Sequence, residues 1–504
     1  MAIDSKRIAK NTVFLYARLL LVMGVTLYTS RVVLDKLGID DYGLYNVIFS
    51  IVGLLSFLNG TLSFGTSRFI TYELGKQDTN KLNSTFSTAL GAHVLLAGII
   101  FLLGETIGIW YFYNVLVCPL ERINAAFIVY QISIFQTIIS IIQVPFSSDI
   151  IAHERMEFYA YIGVYEAIAK LLVVFLLIRT PFDRLVYYSC LVAIVGISTL
   201  IINVFFCKKN FNEVSFRIKI DKSIFKNIMT FSGWNIVANL SNTLMLQGVI
   251  MLLNLFFQPF VVAAQAVSNQ ISSALMQFVD NVRNAINPQV IKLYAEKNYS
   301  ESKRLTLVSA EYVFYLLLLL GVPAIMIMPA LLDIWLVEVP VYATEFARLI
   351  IIQNILGNFS AAFYTPMVAA NRIKKNSVAS VVLCVTQFSL IYLLFKIGLS
   401  PLWVRYLGII FSLIWSFVVK PYILWKDIGY TKKELFFCVL RCGKTLVPIV
   451  IACFLIYKLI PQERIIDSVL VALSSIVIIV LFVFLLMEKR DRKRLVCFIK
   501  RKIQ

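Results

Sequence analysis

The chain has 504 residues, of which 60% are hydrophobic and 15% charged, and its formal net charge is +19. Its mean hydropathy is +0.83. A soluble chain of this size cannot hide that much apolar surface in its cores, so a soluble enzyme or nucleic-acid-binding domain is excluded, and the positive charge needs another use.

Apolar segments follow one another from Asn11 to Met487 with only short polar breaks. Each is long enough to cross a bilayer, which needs roughly 20 apolar residues per helix. In chain order the expected spans are 11–33, 41–64, 85–113, 123–147, 157–178, 184–206, 228–257, 260–286, 306–335, 342–368, 377–397, 402–425, 444–460 and 466–487. About fourteen helices result, because lipid offers the backbone no hydrogen-bond partner and excludes open sheets. The fold class is an all-α polytopic membrane protein. The first span carries no cleavage site after it and is expected to remain in the chain.

Lys and Arg crowd alternate breaks: Lys6, Arg7 and Lys10, then Lys208 to Lys226, Lys292 to Arg304, Arg372 to Lys375, Lys426 to Lys444, and the tail from Lys489. The intervening breaks are neutral or acidic, with Asp35, Asp40, Asp41, Asp333, Glu338, Glu463 and Asp467. About 35 of the 47 basic residues fall on one side, which places that side and both termini in the cytoplasm. The basic tail also suits anionic membrane lipids.

The cytoplasmic break at about 207–226 divides the chain into an N-lobe (1–215) and a C-lobe (216–430), followed by an extra helix pair (431–487) and a basic tail (488–504). Six spans per lobe makes the two lobes parallel repeats. Lys10-Asn11 is echoed by Lys226-Asn227, and Ser67-Arg68-Phe69 by Val282-Arg283-Asn284. A connector follows each of the latter, at Tyr72–Lys76 and Tyr294–Lys297.

A charge inside a span costs at least a few kcal/mol and marks a candidate site. Arg18 lies about two turns into the first span with no acid nearby in sequence. Glu105 lies in the third span. Glu166 and Lys170, at i and i+4, share a face of the fifth, and Asp280 and Arg283, at i and i+3, share one of the eighth. Either pair serves as a structural ion pair or as part of a site. Arg31, Glu311 and Arg348 lie close enough to interfaces to snorkel. Two polar stripes stand out. Asn235, Asn239 and Asn242 line one face of the seventh span. Asn269, Ser273, Gln277, Asp280 and Asn284 line one face of the eighth. Such a face lines a water-filled cavity or packs on another polar helix, and lipid cannot take it.

Several signals are absent. Gly443-Lys444-Thr445 has cysteine where a phosphate loop needs its first glycine. The eight cysteines show no metal or disulfide spacing, and His93 and His153 show no ligand motif, so no cofactor and no metal is expected. Asp35, Asp40 and Asp41 sit in a loop too short for a catalytic site, so the chain is not read as an enzyme.

Two segments carry a family resemblance. The stretch Arg31-Val-Val-Leu-Asp-Lys-Leu-Gly-Ile-Asp-Asp-Tyr-Gly-Leu-Tyr45, with Phe57-Leu-Asn59 and Ser67-Arg68-Phe69, resembles the start of bacterial O-antigen and capsule repeat-unit flippases. Leu252-Leu-Asn254-Leu-Phe-Phe257, Ala263-Ala264-Gln265 and Asn287-Pro288-Gln289-Val290-Ile-Lys292 resemble the second-lobe signature of the same group. These proteins belong to the multidrug/oligosaccharidyl-lipid/polysaccharide exporter superfamily, whose MATE-like fold has two six-helix lobes. The resemblance implies transfer of an undecaprenyl-diphosphate-linked oligosaccharide between leaflets of the bacterial inner membrane by alternating access. It implies Arg18, Arg68 and Arg283, backed by Lys170, as contacts for the diphosphate or acidic sugars, and Asn239, Asn242, Asn269 and Gln277 as contacts for sugar hydroxyls. The partners implied are the lipid-linked oligosaccharide and the polymerase or chain-length regulator of the same pathway, with no nucleic acid, and the protein is expected to be a monomer. Two competing readings, a cation-coupled multidrug exporter and a peptidoglycan-precursor flippase, share the fold. Under the former, Glu105, Glu166 and Asp280 are the ion-coupling candidates.

Overall fold

A computed structural model describes residues 5–55, 57–76, 78–153, 155–214, 220–226, 239–460, 464–486 and 492; within these, the side chains of 5–19, 55, 57–61, 63–65, 75 and 284–285 are left aside. Every regular element among them is helical. Helices α1 (Ser5–Leu37), α2 (Ile39–Leu55) and α3 (Phe57–Lys76) open the chain. They are followed by α4 (Thr79–Asn114), α5 (Leu120–Ala152), α6 (Met156–Ile178), α7 (Arg184–Asn210) and α8 (Asn239–Phe256). Next come α9 (Pro259–Ala295), α10 (Tyr299–Met326) and the short α11 (Met328–Trp335). Helices α12 (Ala343–Ala369), α13 (Lys374–Lys396), α14 (Trp403–Ile428), α15 (Lys432–Leu459) and α16 (Ile465–Leu486) complete the chain. Eleven of these helices are long and apolar enough to cross a membrane; α1, the α2–α3 pair and α9 occupy the other three expected spans. The connectors expected at Tyr72–Lys76 and Tyr294–Lys297 are instead the last turns of α3 and α9, with Lys297 alone in a left-handed conformation at φ 60°.

The chain separates into two compact units. Unit 1 comprises Met1–Ala266, Leu336–Pro340 and Ser380–Phe388; unit 2 comprises Val267–Trp335, Val341–Ala379 and Ser389–Gln504. The boundary therefore runs inside α9 and α13.

Unit 1 is packed by apolar faces of α3, α4, α5 and α7. Ile70, Phe86, Phe146, Ile150 and Cys207 are all buried together, with the Phe86 and Phe146 rings edge to face at 5.6 Å. The opposite faces of α4, α6 and α7 carry exposed Leu102, Phe175 and Phe205. Exposed side chains of this kind on a long helix belong in hydrocarbon.

At one end of unit 1, Arg122 gathers three helix starts. It forks onto Asp41 (Nε–Oδ1 2.9 Å, Nη2–Oδ2 2.5 Å) and reaches Asp183 (Nη1–Oδ2 2.5 Å). Asp183 also accepts from the amides of Leu185 and Val186, which caps α7. Two of the three acids around the α1–α2 junction are thus engaged structurally, since Asp35 pairs with Lys36 at 2.8 Å. Asn254, from the second signature segment, is buried and reads the backbone of the loop after α4. Its amide donates to Val117 O and accepts from Val117 N, both at 3.1 Å.

In unit 2, α15 starts at a capping box, with Thr431 Oγ1 accepting from the Glu434 amide and Glu434 accepting from the Thr431 amide. One expectation is corrected here. Glu311 does not snorkel to an interface; it is 4% exposed and pairs with Arg441 of α15 at 3.0 Å. The partner sits 130 residues away, which no local spacing reveals.

Gly43 is set by close approach. A Cβ built there would lie 2.1 Å from the carbonyl oxygen of Pro259, a backbone atom that cannot step aside without moving the start of α9. Gly43→Ala is expected to lower the thermal midpoint of the detergent-purified protein, at a cost of about 1–3 kcal/mol from overpacking. Gly98→Ala, where a Cβ meets nothing within 4 Å, should not lower it. Equal midpoints for the two variants would show that this contact carries no weight.

Candidate functional site, a cationic polar interior

Within unit 2 three polar stripes meet. On α14, Arg405, Gly408, Ser412, Ser416 and Lys420 recur at i, i+3, i+7, i+11 and i+15, which is one helix face. On α12 the matching face is Gln353, Asn354, Gly357 and Ser360. On α9 it includes Ser268, Asn269, Ser272, Arg283 and Asn287. Small residues let the first two helices approach closely: a Cβ at Gly408 would lie 2.8 Å from Gln353 Oε1, and Ser416 Oγ donates to Gly357 O at 2.8 Å.

Many of the polar atoms along this seam bond to one another, while Gln353 Oε1, Arg283 Nε and Arg405 Nε are buried without a partner. Asn354 Nδ2 donates to Ser272 Oγ at 2.8 Å, Thr365 Oγ1 donates to Asn287 Oδ1 at 2.8 Å, and the Ser360 and Ser416 hydroxyls share a bond at 2.9 Å. In hydrocarbon the alternative is an unsatisfied polar group, so the three helices are pinned face to face.

Two cations are enclosed in this seam, each 7% exposed. Arg405 Nη2 donates to Ser268 Oγ at 3.1 Å and Asn269 Oδ1 at 3.0 Å, its Nε is without a partner, and its guanidinium lies 5.9 Å from the Phe346 ring centre. Lys420 Nζ donates to Ser360 O at 2.9 Å and stands 5.5 Å from the Trp415 ring centre. Among the described residues neither cation has a carboxylate within ion-pair distance. Burying a charge with only neutral acceptors is costly, so stability alone does not account for it. Fifteen residues of helix separate the two, about 22 Å along the axis, a large part of a hydrocarbon core. Arg283 lies close enough to Lys420 for their charges to repel. Its partner Asp280, at 3.1 Å, is more than half exposed.

The sequence-derived residues distribute as follows. Asn269 and Arg283 belong to this seam. Asp280 and Ser273 are exposed and Gln277 is half-buried, so the described part of the stripe on α9 is divided: Asn269 is held by Arg405 while Ser273 and Asp280 are accessible. The Arg283–Asp280 pair forms as the spacing allows. The Glu166–Lys170 pair does not, since Glu166 is half-buried and Lys170 points out exposed. Lys170, Glu166 and Glu105 all belong to unit 1, as do half-buried Asn239 and exposed Asn242 and Arg68. Arg68 stands 6.0 Å from the Phe69 ring centre. Glu105 sits in a π-helical turn, Gly104–Gly108, where Oε2 accepts from Gln131 Nε2 at 3.4 Å and Oε1 is buried without a partner. The side chains of Arg18 and Asn284, and all of Asn235, lie outside the described residues.

Sequence reasoning missed Arg405 and Lys420. Each falls within two turns of the end of its span, where a cation reads as an interfacial anchor. The signal that identifies them is the four-residue polar recurrence between them.

No protein-family model and no curated protein matches the sequence. Solved structures do. One is the lipid II flippase MurJ in an inward closed conformation, at 11% identity and TM-score 0.69, covering 94% of this chain and 98% of that one. A multidrug resistance MATE family transporter of the MOP superfamily, inward-facing, matches at 12% identity and TM-score 0.67, with 83% and 94% covered. A MOP superfamily transporter from Pyrococcus furiosus, whose binding pocket is described as of reverse polarity, matches at 14% identity and TM-score 0.61, with 86% and 96% covered. The fold is therefore the one these transporters share.

Lys420→Met keeps the side chain's length and removes its buried charge. The thermal midpoint of the purified variant is expected to hold or rise, because well-packed apolar replacements of buried charges are often neutral or stabilising. A marked fall would make Lys420 a structural residue.

Proposed function

We propose that the protein is a flippase that carries an undecaprenyl-diphosphate-linked oligosaccharide from the cytoplasmic to the periplasmic leaflet by alternating access. The observation that carries this reading is the pair of enclosed cations, Arg405 and Lys420, without a carboxylate partner in the described residues. Their charge is not cancelled locally, so it raises the potential along the α9 and α14 seam. A mobile anion is the chemistry that such a field serves. Arg283, less enclosed than the other two, is the guanidinium positioned to touch a phosphate, and Arg is shaped for bidentate contact. Lys420 and Arg405 act behind it, one near each end of α14, so an anion moving along the seam leaves one positive station before reaching the other. Arg18, Arg68 and Lys170 are proposed as further diphosphate contacts. Asn239, Asn242, Asn269 and Gln277 are proposed for the sugar hydroxyls.

The likeness to a lipid II flippase supports a lipid-linked cargo. The division into two six-helix lobes with an extra helix pair and a basic tail belongs to the same proposal. So do placement in the bacterial inner membrane with both termini cytoplasmic, action as a monomer, and contact with the pathway's polymerase. The clustering of basic residues in alternate loops supports the orientation.

One observation favours a second reading, a cation-coupled drug exporter. Glu105 offers a buried carboxylate oxygen without a partner, in a π-helical turn of the kind often found at functional positions.

In cells that depend on this protein for surface glycan, Arg283→Ala should cut glycan display roughly 10–100-fold, the worth of one charge-assisted hydrogen bond, while membrane levels stay normal. Arg283→Lys should restore part of it. Normal display in Arg283→Ala and Arg18→Ala, together with drug sensitivity in Glu105→Gln, would favour the exporter reading instead.

A further inference from the structure

Unit 1 contains a cluster that the transport reading does not use. Asp149, in the last turn of α5, is fully buried, and neither of its carboxylate oxygens accepts a hydrogen bond. His153 follows at i+4 and projects its Nε2 to 3.8 Å from Asp149 Oδ1. Glu213, just beyond the end of α7, is 5% exposed and places Oε1 2.5 Å from the same Nε2. One candidate donor atom from each of the three side chains falls within a sphere in which all lie within 4.8 Å of one another. The His153 ring stacks on Phe211, centres 3.9 Å apart and planes 6° apart, which fixes its orientation.

We propose that Asp149, His153 and Glu213 form a binding site for a divalent transition-metal ion, with zinc the expected occupant. Charge accounts for the arrangement. His153 Nε2 bonds Glu213 and stands 3.8 Å from Asp149, so one imidazole is shared between two enclosed carboxylates, and neither Asp149 oxygen accepts a hydrogen bond. Such a group costs several kcal/mol unless something neutralises it. One dication balances two carboxylates beside a neutral imidazole and bonds one donor atom of each side chain.

Both distances to His153 Nε2 need to change by less than about one ångström. Donors about 2.0–2.1 Å from a tetrahedral zinc stand about 3.3 Å apart. His153 Nε2 and Glu213 Oε1 must therefore part slightly, and Asp149 must close by about half an ångström. These are side-chain rotations, because all three residues sit at or beyond helix ends. One nitrogen and two carboxylates suit zinc, and the ordinary affinity order places zinc above manganese and iron. Calcium and magnesium prefer sites made wholly of oxygen. Three protein ligands leave a fourth position for water. The ion would tie the end of α5 to the segment leaving α7, as a staple.

The test uses the full chain, purified in detergent, stripped with chelator and then dialysed against zinc chloride. Wild type should retain about one zinc per chain by elemental analysis and melt at a higher temperature with zinc than without. Asp149→Asn, His153→Gln and Glu213→Gln should each lose most of the metal and the zinc-dependent rise. Wild type loaded with cobalt should show the intense visible bands of a four-coordinate ion, which the three variants lack while they still elute monodisperse with unchanged helical circular dichroism. Substoichiometric zinc in wild type, full zinc in the folded variants, or no such cobalt bands in wild type would overturn the assignment.

Discussion

The bilayer supplies no hydrogen bonds. Every polar group that these helices carry into it must find a partner on another helix or in a wet interior, and that constraint organises both units. Unit 2 answers it with the seam between α9, α12 and α14, where hydroxyls, amides and two cations bond to one another. Unit 1 answers it at its ends, through the Arg122 clamp on Asp41 and Asp183 and through Asn254 on the backbone at Val117. Glycine and serine at the helix contacts are the means, because they let backbones close to hydrogen-bonding distance.

Not all buried charge has the same meaning. Glu311 is enclosed but matched by Arg441, and such a pair holds α10 to α15. Arg405 and Lys420 are enclosed and matched only by neutral acceptors. The first arrangement is complete within the protein. The second leaves a positive field that no carboxylate among the described residues cancels, and the proposed transport role rests on that difference.

The fold was legible because apolar run length reports directly on bilayer thickness. Over the described residues the expected spans correspond to helices, residues 228–238 of the seventh lying outside them, and Asp280 pairs with Arg283 as their spacing allows. What local spacing could not supply was partnership across distance. Glu311 and Arg441 are 130 residues apart, Asp149 and Glu213 more than 60, and Asp41 meets Arg122 across 81. Glu166 and Lys170 show the converse: adjacency on a helix permits a pair and does not make one. Arg405 and Lys420 stood in plain view but near span ends, where the snorkelling of cations is the ordinary explanation. The Gly408, Ser412 and Ser416 positions between them mark that face as one turned toward protein. The ligand specificity of the seam depends on shape, which apolar periodicity does not encode.

The central claim is that an uncancelled positive field in unit 2 selects an anionic lipid-linked cargo. Its most direct test is native mass spectrometry of the purified protein with two lipids of equal chain length, one bearing a diphosphate-linked oligosaccharide and one the same glycan without phosphate. The account predicts at least about tenfold preference for the diphosphate lipid, reduced toward parity when both Arg405 and Lys420 are replaced by methionine. Equal binding of the two lipids, or a preference untouched by the double replacement, would contradict it.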